Sequence, residues 1–283
     1  MKTIKLLVVG LIASGLFLSS CEQTENEPSN VSDDAIQSIL SITDLYNTED
    51  AEVATSDDGT KSVVENHGSC FELTIHPNED GAFWPKSWTL EFDGECESFN
   101  GITRSGMIHV TLTDCWRNEG SLRTISFEDF YVNDIHLEGI KTIENTGLND
   151  VGNMTWVRKM VGGKLTFDDA TETDPATFIS WDCERISERV EGGDTWLFRD
   201  DIYMVTGGGN GVNREGLTFT TEITNPLKYV FRCRFPVSGE LTINIEGSET
   251  VVINFGDGEC DKIATQTIGS NEPTEIELGL CKN

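Results

Sequence analysis

The chain is expected to fold as an all-β protein of antiparallel sheets, and three observations carry that expectation. Beyond Cys70 the apolar residues recur with period two: Trp88, Leu90 and Phe92 alternate with Thr89, Glu91 and Asp93, and Leu241, Ile243 and Ile245 with Thr242, Asn244 and Glu246. Such alternation gives a strand one buried and one wet face, as in antiparallel sheets. Turn-forming residues punctuate the runs, and roughly fourteen short strands at this spacing fit a sandwich, a barrel or a long twisted meander. With 27 Gly and 7 Pro in 283 residues, long helices are not expected.

The first residues have a different character. Met1-Lys2-Thr3-Ile4-Lys5 is basic, and Leu6 to Phe17 is an apolar run broken only by Gly10, Ser14 and Gly15. That run is too short for a membrane-spanning helix, which needs about 20 apolar residues. A basic start, a short apolar core and small residues before a cut site describe an export signal over residues 1–20. Leu18-Ser19-Ser20-Cys21 resembles a bacterial lipobox. The resemblance implies cleavage before Cys21 and acylation of its thiol. One acyl chain holds a protein at a membrane only marginally, whereas two or three hold it stably.

Removing residues 1–20 leaves 18 basic against 49 acidic residues, a formal charge of −31. A surface of that sign repels nucleic acid and anionic lipid head groups, so neither is expected as a direct partner. Residues 21–69 read as an acidic tether, in which twelve carboxylates from Glu22 to Glu65 face the single Lys61. Low hydrophobicity with high charge does not offset the entropy of ordering. One short helix is expected near residues 33–46. Ser32 can cap it, Asp33 and Asp34 suit its positive end, and Ile36, Ile39 and Leu40 fall near helical spacing.

Residues 70–283 form the expected β domain, with two related halves, about 70–150 and 151–283, as one arrangement. Turns are placed at Asn133-Asp134, Gly162-Gly163, Gly192-Gly193 and Gly256-Asp257-Gly258, and Gly207 to Gly211 is expected as a flexible hairpin loop. The segment Trp88 to Cys96 matches Val251 to Cys260 with one residue inserted and the apolar positions in phase. The spans Cys70 to Cys96 and Cys233 to Cys260 therefore read as copies of one structural unit.

An exported protein can hold disulfides, and the repeated spans point to Cys70–Cys96 and Cys233–Cys260. Reduced thiols buried in sheet cores fit the same residues. Seven cysteines besides Cys21 leave at least one unpaired, with Cys281 the expected one. The chain has no Cys-x-x-Cys, Gly-x-Ser-x-Gly, His-Glu-x-x-His or phosphate-loop pattern, so no catalytic residue, cofactor or metal site is assigned. His67, His76, His109 and His136 are scattered in sequence, with His109 opposite the apolar face. Trp84, in Phe83-Trp84-Pro85, can stack on a sugar ring or cap the core; Trp116, Trp156, Trp181 and Trp196 carry the same alternatives. Asp168, Asp169, Glu172 and Asp174 form an oxygen-rich loop without the ordered spacing of a calcium loop.

The lipobox, the acidic start Glu22-Gln23-Thr24-Glu25, the run from Phe130 to Gly139 and Phe255-Gly256-Asp257-Gly258-Glu259-Cys260 resemble uncharacterised Bacteroidota-type cell-envelope lipoproteins. That resemblance implies a lipid-anchored β protein of the outer membrane, displayed at the cell surface. It carries over no active site. The expected function is therefore binding of a glycan or an envelope protein, or a structural role; extracellular glycan hydrolysis is the alternative. Replacing Cys21 with Ala is expected to leave the fold unchanged and move the protein from the membrane to the soluble fraction. Fractionation of cells expressing both forms checks this, and a membrane-bound Cys21→Ala protein would refute the anchor.

Overall fold

The alternating runs become neighbouring strands of a single antiparallel sheet. The computed structural model describes residues 36, 39, 71–76, 78, 81–97, 103–168, 170, 171, 177–194, 200–230 and 233–279. Its strands are β1 (Glu72–His76), β2 (Lys86–Glu97), β3 (Thr103–Leu112), β4 (Leu122–Val132), β5 (Ile135–Leu148), β6 (Met154–Thr166), β7 (Phe178–Glu191), β8 (Ile202–Val212), β9 (Thr218–Val230), β10 (Ser238–Ile245), β11 (Val251–Asp257), β12 (Ile263–Ile268) and β13 (Thr274–Glu277). Each strand pairs with the next in sequence, so the spatial order is the chain order from β1 to β13. Of the arrangements open at the sequence level, the long meander is the one formed.

Period two does what it should at each strand. Trp88, Leu90 and Phe92 of β2 turn inward, as do Ile108, Val110 and Leu112 of β3 and Val251, Ile253 and Phe255 of β11. Leu90, Ile108, Ile125, Ile179, Ile243 and Ile253 all have 0% exposure. These residues belong to one core that runs from β2 to β12. Complete burial requires cover, and among the described residues no second sheet supplies it. Ile36 and Ile39 are helical and join this core at 0 and 2% exposure, the two described residues of the expected short helix.

Local chemistry sets the turns and bulges. Asn133 and Asp134 join β4 to β5 with φ of 48° and 67°. Two left-handed residues in succession match the twist of a hairpin, and Asn and Asp tolerate that conformation. Two expectations are corrected. Gly162-Gly163 is no hairpin turn: it lies within β6, where the register against β7 shifts between Met160 and Gly163. There the glycine leaves room for the Trp181 ring, which a Cβ at Gly163 would strike. Gly207 to Gly211 is no loop either, but the second half of β8. A Cβ at Gly208 would run into Thr221 O, and one at Gly211 into Ser180 O and the Phe219 ring. Sequence punctuation misread a close-packed stripe as a turn.

The sheet continues through residue 150 without a break, because β5 and β6 pair along nearly their full length, from His136↔Thr166 to Leu148↔Met154. The two matched spans do form equivalent hairpins. Leu73↔Leu90 and Ile75↔Trp88 join β1 to β2, and Leu241↔Ile253 and Ile243↔Val251 join β10 to β11. Cys233 and Cys260 form a disulfide with Cα atoms 5.4 Å apart. Cys70, Cys281 and the side chain of Cys96 lie outside the described residues, while Cys115 and Cys183 are free thiols. Closing a loop of 27 residues restricts the unfolded chain by about 3.5 kcal/mol. Replacing both Cys233 and Cys260 with Ser should lower the unfolding free energy by about 3 kcal/mol. Urea denaturation measures it; an unchanged midpoint would show that the hairpin needs no staple.

Candidate functional site

Strand alternation also builds a patterned outer face. On β6–β10 two rows of residues face outward, in register across the strands. One row is Lys164, Ser180, Val212 and Thr218, and the other Asp182, Asn210, Thr220 and Asn244. Between them runs the row Gly163, Trp181, Gly211, Phe219 and Ile245, whose side chains turn to the core. With glycine at two of those five positions the backbone itself forms much of the floor. The result is an open cleft of about 710 Å³ that also takes in Glu246 at the end of β10.

Several of its polar groups are held in place by neighbours. Gly162 N–H donates to Asp182 Oδ1 at 2.7 Å, and the Thr218 hydroxyl donates to Glu246 Oε2 at 2.8 Å. The Thr250 hydroxyl donates to Asn244 Oδ1 at 2.8 Å. Lys164 Nζ sits 3.3 Å from Glu138 Oε2. Each group keeps further donor or acceptor capacity toward the cleft. An array of short hydroxyl, amide and carboxylate side chains over an open strip suits a hydroxyl-rich ligand lying along the sheet. Ser180 and Asp182 flank Trp181 in sequence and Thr218 and Thr220 flank Phe219, but the rows become visible only once register is known.

Trp84 is half-buried and packs against the core, with its ring edge-on to Phe83 at 5.3 Å. Lys86 Nζ lies 4.3 Å from the Phe83 centroid and 4.6 Å from that of Trp84. Phe83 is the exposed partner at 67%. Trp156 and Trp181 are core residues with 2 and 6% exposure. Cys21, Asp169, Glu172, Asp174, His67 and Trp196 lie outside the described residues. His136 stacks on Tyr131 with ring centroids 4.6 Å apart. His76 and His109, distant in sequence, both reach the Thr89 hydroxyl, at 2.9 and 3.0 Å. His109 lies on the outer face, as its phase predicts.

A second polar assembly is internal. Trp116 stacks on Trp156 at 5.5 Å, Arg123 lies 4.1 Å over Trp116, and Tyr203 meets Trp156 edge-on at 5.8 Å. The Tyr203 hydroxyl donates to Asp201 Oδ2 at 2.7 Å, and Asp201 pairs with Arg189 at 3.9 Å. Burial, with the Asp201 carboxylate beside it, holds the Tyr203 hydroxyl well above the usual phenol range, while Arg158 and Arg189 pull the other way. A folded-state value raised above the unfolded one gives stability that is complete below about pH 10 and is lost as pH climbs toward the folded value. Ultraviolet titration of wild type and Tyr203→Phe should therefore give equal phenolate absorbance up to the alkaline unfolding transition. Beyond it, the wild type should show one additional ionised tyrosine; an extra phenolate in the folded wild type would refute the assignment.

Compared with known proteins, the chain matches no family model, no curated protein and no solved structure.

Proposed function

We propose that this is a lipid-anchored protein of the cell envelope, held at the outer membrane through Cys21 and displayed at the cell surface. Its β domain binds a glycan or a neighbouring envelope protein. The single observation that carries the binding reading is the cleft on β6–β10. There Lys164, Ser180, Asp182, Asn210, Thr220 and Asn244 stand on one face, over a floor opened by Gly163 and Gly211. Sugar hydroxyls both donate and accept, and this side-chain set offers both functions along a strip without enclosing walls. The strongly acidic remainder of the chain favours a neutral or cationic ligand over a polyanion.

The alternative, hydrolysis of glycan in this cleft, requires two carboxyl groups about 5–5.5 Å or about 6.5–9.5 Å apart. Asp182 lies on β7 and Glu246 at the end of β10, three strand spacings of about 4.8 Å away, on the order of 14 Å. That separation favours binding over cleavage. Purified Cys21→Ala protein on a polysaccharide and glycan array should retain at least one ligand without releasing reducing ends. Asp182→Ala combined with Asn210→Ala should weaken retention about tenfold, the loss of one or two hydrogen bonds of about 1 kcal/mol each. Silence across the array and in a pull-down from envelope extracts would overturn the binding reading. Released reducing ends that vanish with Asp182→Ala would replace it with hydrolysis.

A further inference from the structure

The outer face of β1–β4 carries four side chains joined atom to atom, on strands that do not line the cleft. His76 Nε2 lies 2.9 Å from Thr89 Oγ1, and Thr89 Oγ1 lies 3.0 Å from His109 Nδ1. His109 Nε2 lies 2.8 Å from Glu128 Oε2. Register makes the line: Thr89 is directly opposite His109, while His76 and Glu128 are diagonal neighbours on the flanking strands. Residues at such diagonals are within reach when their side chains are long.

Proton bookkeeping gives the line a direction. With Glu128 as a carboxylate, it accepts from His109 Nε2–H. Neutral His109 then presents a bare Nδ1, which accepts the Thr89 hydroxyl proton. The Thr89 oxygen in turn accepts from His76 Nε2–H. A hydroxyl bonded to an imidazole that is itself oriented by a carboxylate is the arrangement that activates a nucleophile. His76 and Glu128 are exposed and His109 is half-buried, while Thr89 lies beneath the two imidazoles at 9% exposure, so an acyl group must reach its hydroxyl between them.

We propose that Thr89 is an acyl-accepting nucleophile toward carboxylic esters, with His109 as its general base and Glu128 as the positioning residue. Thr89 Oγ1 forms a bond to the ester carbonyl carbon as its proton passes to His109 Nδ1. His76 Nε2–H donates to the carbonyl oxygen as negative charge collects there. The C–O bond to the alcohol then breaks, and His109 Nδ1–H returns the proton to the leaving oxygen, leaving acyl-Thr89. Water repeats the sequence, giving the acid and free Thr89. The activity is separate from ligand binding in the cleft, and neither depends on the other.

p-Nitrophenyl acetate is the probe, with the full-length chain carrying Cys21→Ala. A burst of nitrophenolate and an acetyl group on the peptide containing Thr89, located by mass spectrometry, are expected. Thr89→Val, which keeps the shape and strand preference of threonine, should abolish both, and Thr89→Ser should retain both. His109→Gln should slow acylation about 100-fold or more, the typical contribution of a general base. Glu128→Gln should lower kcat at unchanged KM and unchanged thermal midpoint, a split that a merely structural carboxylate does not produce. No acetyl on Thr89 would overturn the proposal. So would Thr89→Val hydrolysing at the wild-type rate, since free imidazoles would then account for the reaction.

Discussion

Everything in this structure depends on one constraint: an antiparallel sheet of thirteen strands must have the inner face of its strands covered. A flat sheet of thirteen strands would leave both faces wet, yet residues from β2 to β12 share a single core. That shared burial dictates which side chains fit where. Large residues such as Trp156, Phe130 and Met160 fill the interior, while β8 gives up its side chains over Gly207, Gly208, Gly209 and Gly211 so that its neighbours approach closely. Ile36 and Ile39 belong to the same core. The outer face, freed from packing, is where hydroxyl, amide and charged groups assemble.

Fold class was legible in the sequence because it rests on periodicity, a local property. The phase of Trp88, Leu90 and Phe92, the copy of that pattern at Val251, Ile253 and Phe255, and the helical spacing of Ile36 and Ile39 all reappear as burial. Glycine was the source of error. Its sequence signal is the same whether it frees the backbone for a turn, as expected at Gly207 to Gly211, or clears space for a neighbour, as found there. The outer rows were illegible for another reason. Asp182, Asn210, Thr220 and Asn244 come from four strands, and the link from His76 through Thr89 and His109 to Glu128 from four others. Only register brings such residues together, and a single sequence does not encode register in any local pattern.

Charge is sorted across the sheet in a way that composition concealed. The chain carries a formal charge of −29, yet Arg104, Arg123, Lys141 and Arg185 lie on the inner face at 6, 4, 0 and 6% exposure. None of the four is without a partner. Taking a cation out of water is costly unless close partners meet it, so these positions demand defined geometry around them. Their phase was readable, since Arg123 alternates with Ile125 and Arg185 with Ser187, but the polarity of the residues argued against an inward assignment. The interior is thus a mixed apolar and basic space, and the exterior is left more acidic than the composition implies.

The strict agreement of spatial order with chain order bears on how the molecule comes to be. No strand waits for a distant partner: every pairing is made with the segment just before or just after it. Local pairings close small loops at little entropic cost and form early. A chain emerging end first, threaded through a pore, can therefore add one strand at a time to a growing edge and never hold a long unpaired segment. The Cys233–Cys260 link spans β10 and β11, near the trailing end, where the last strands have the fewest successors to hold them.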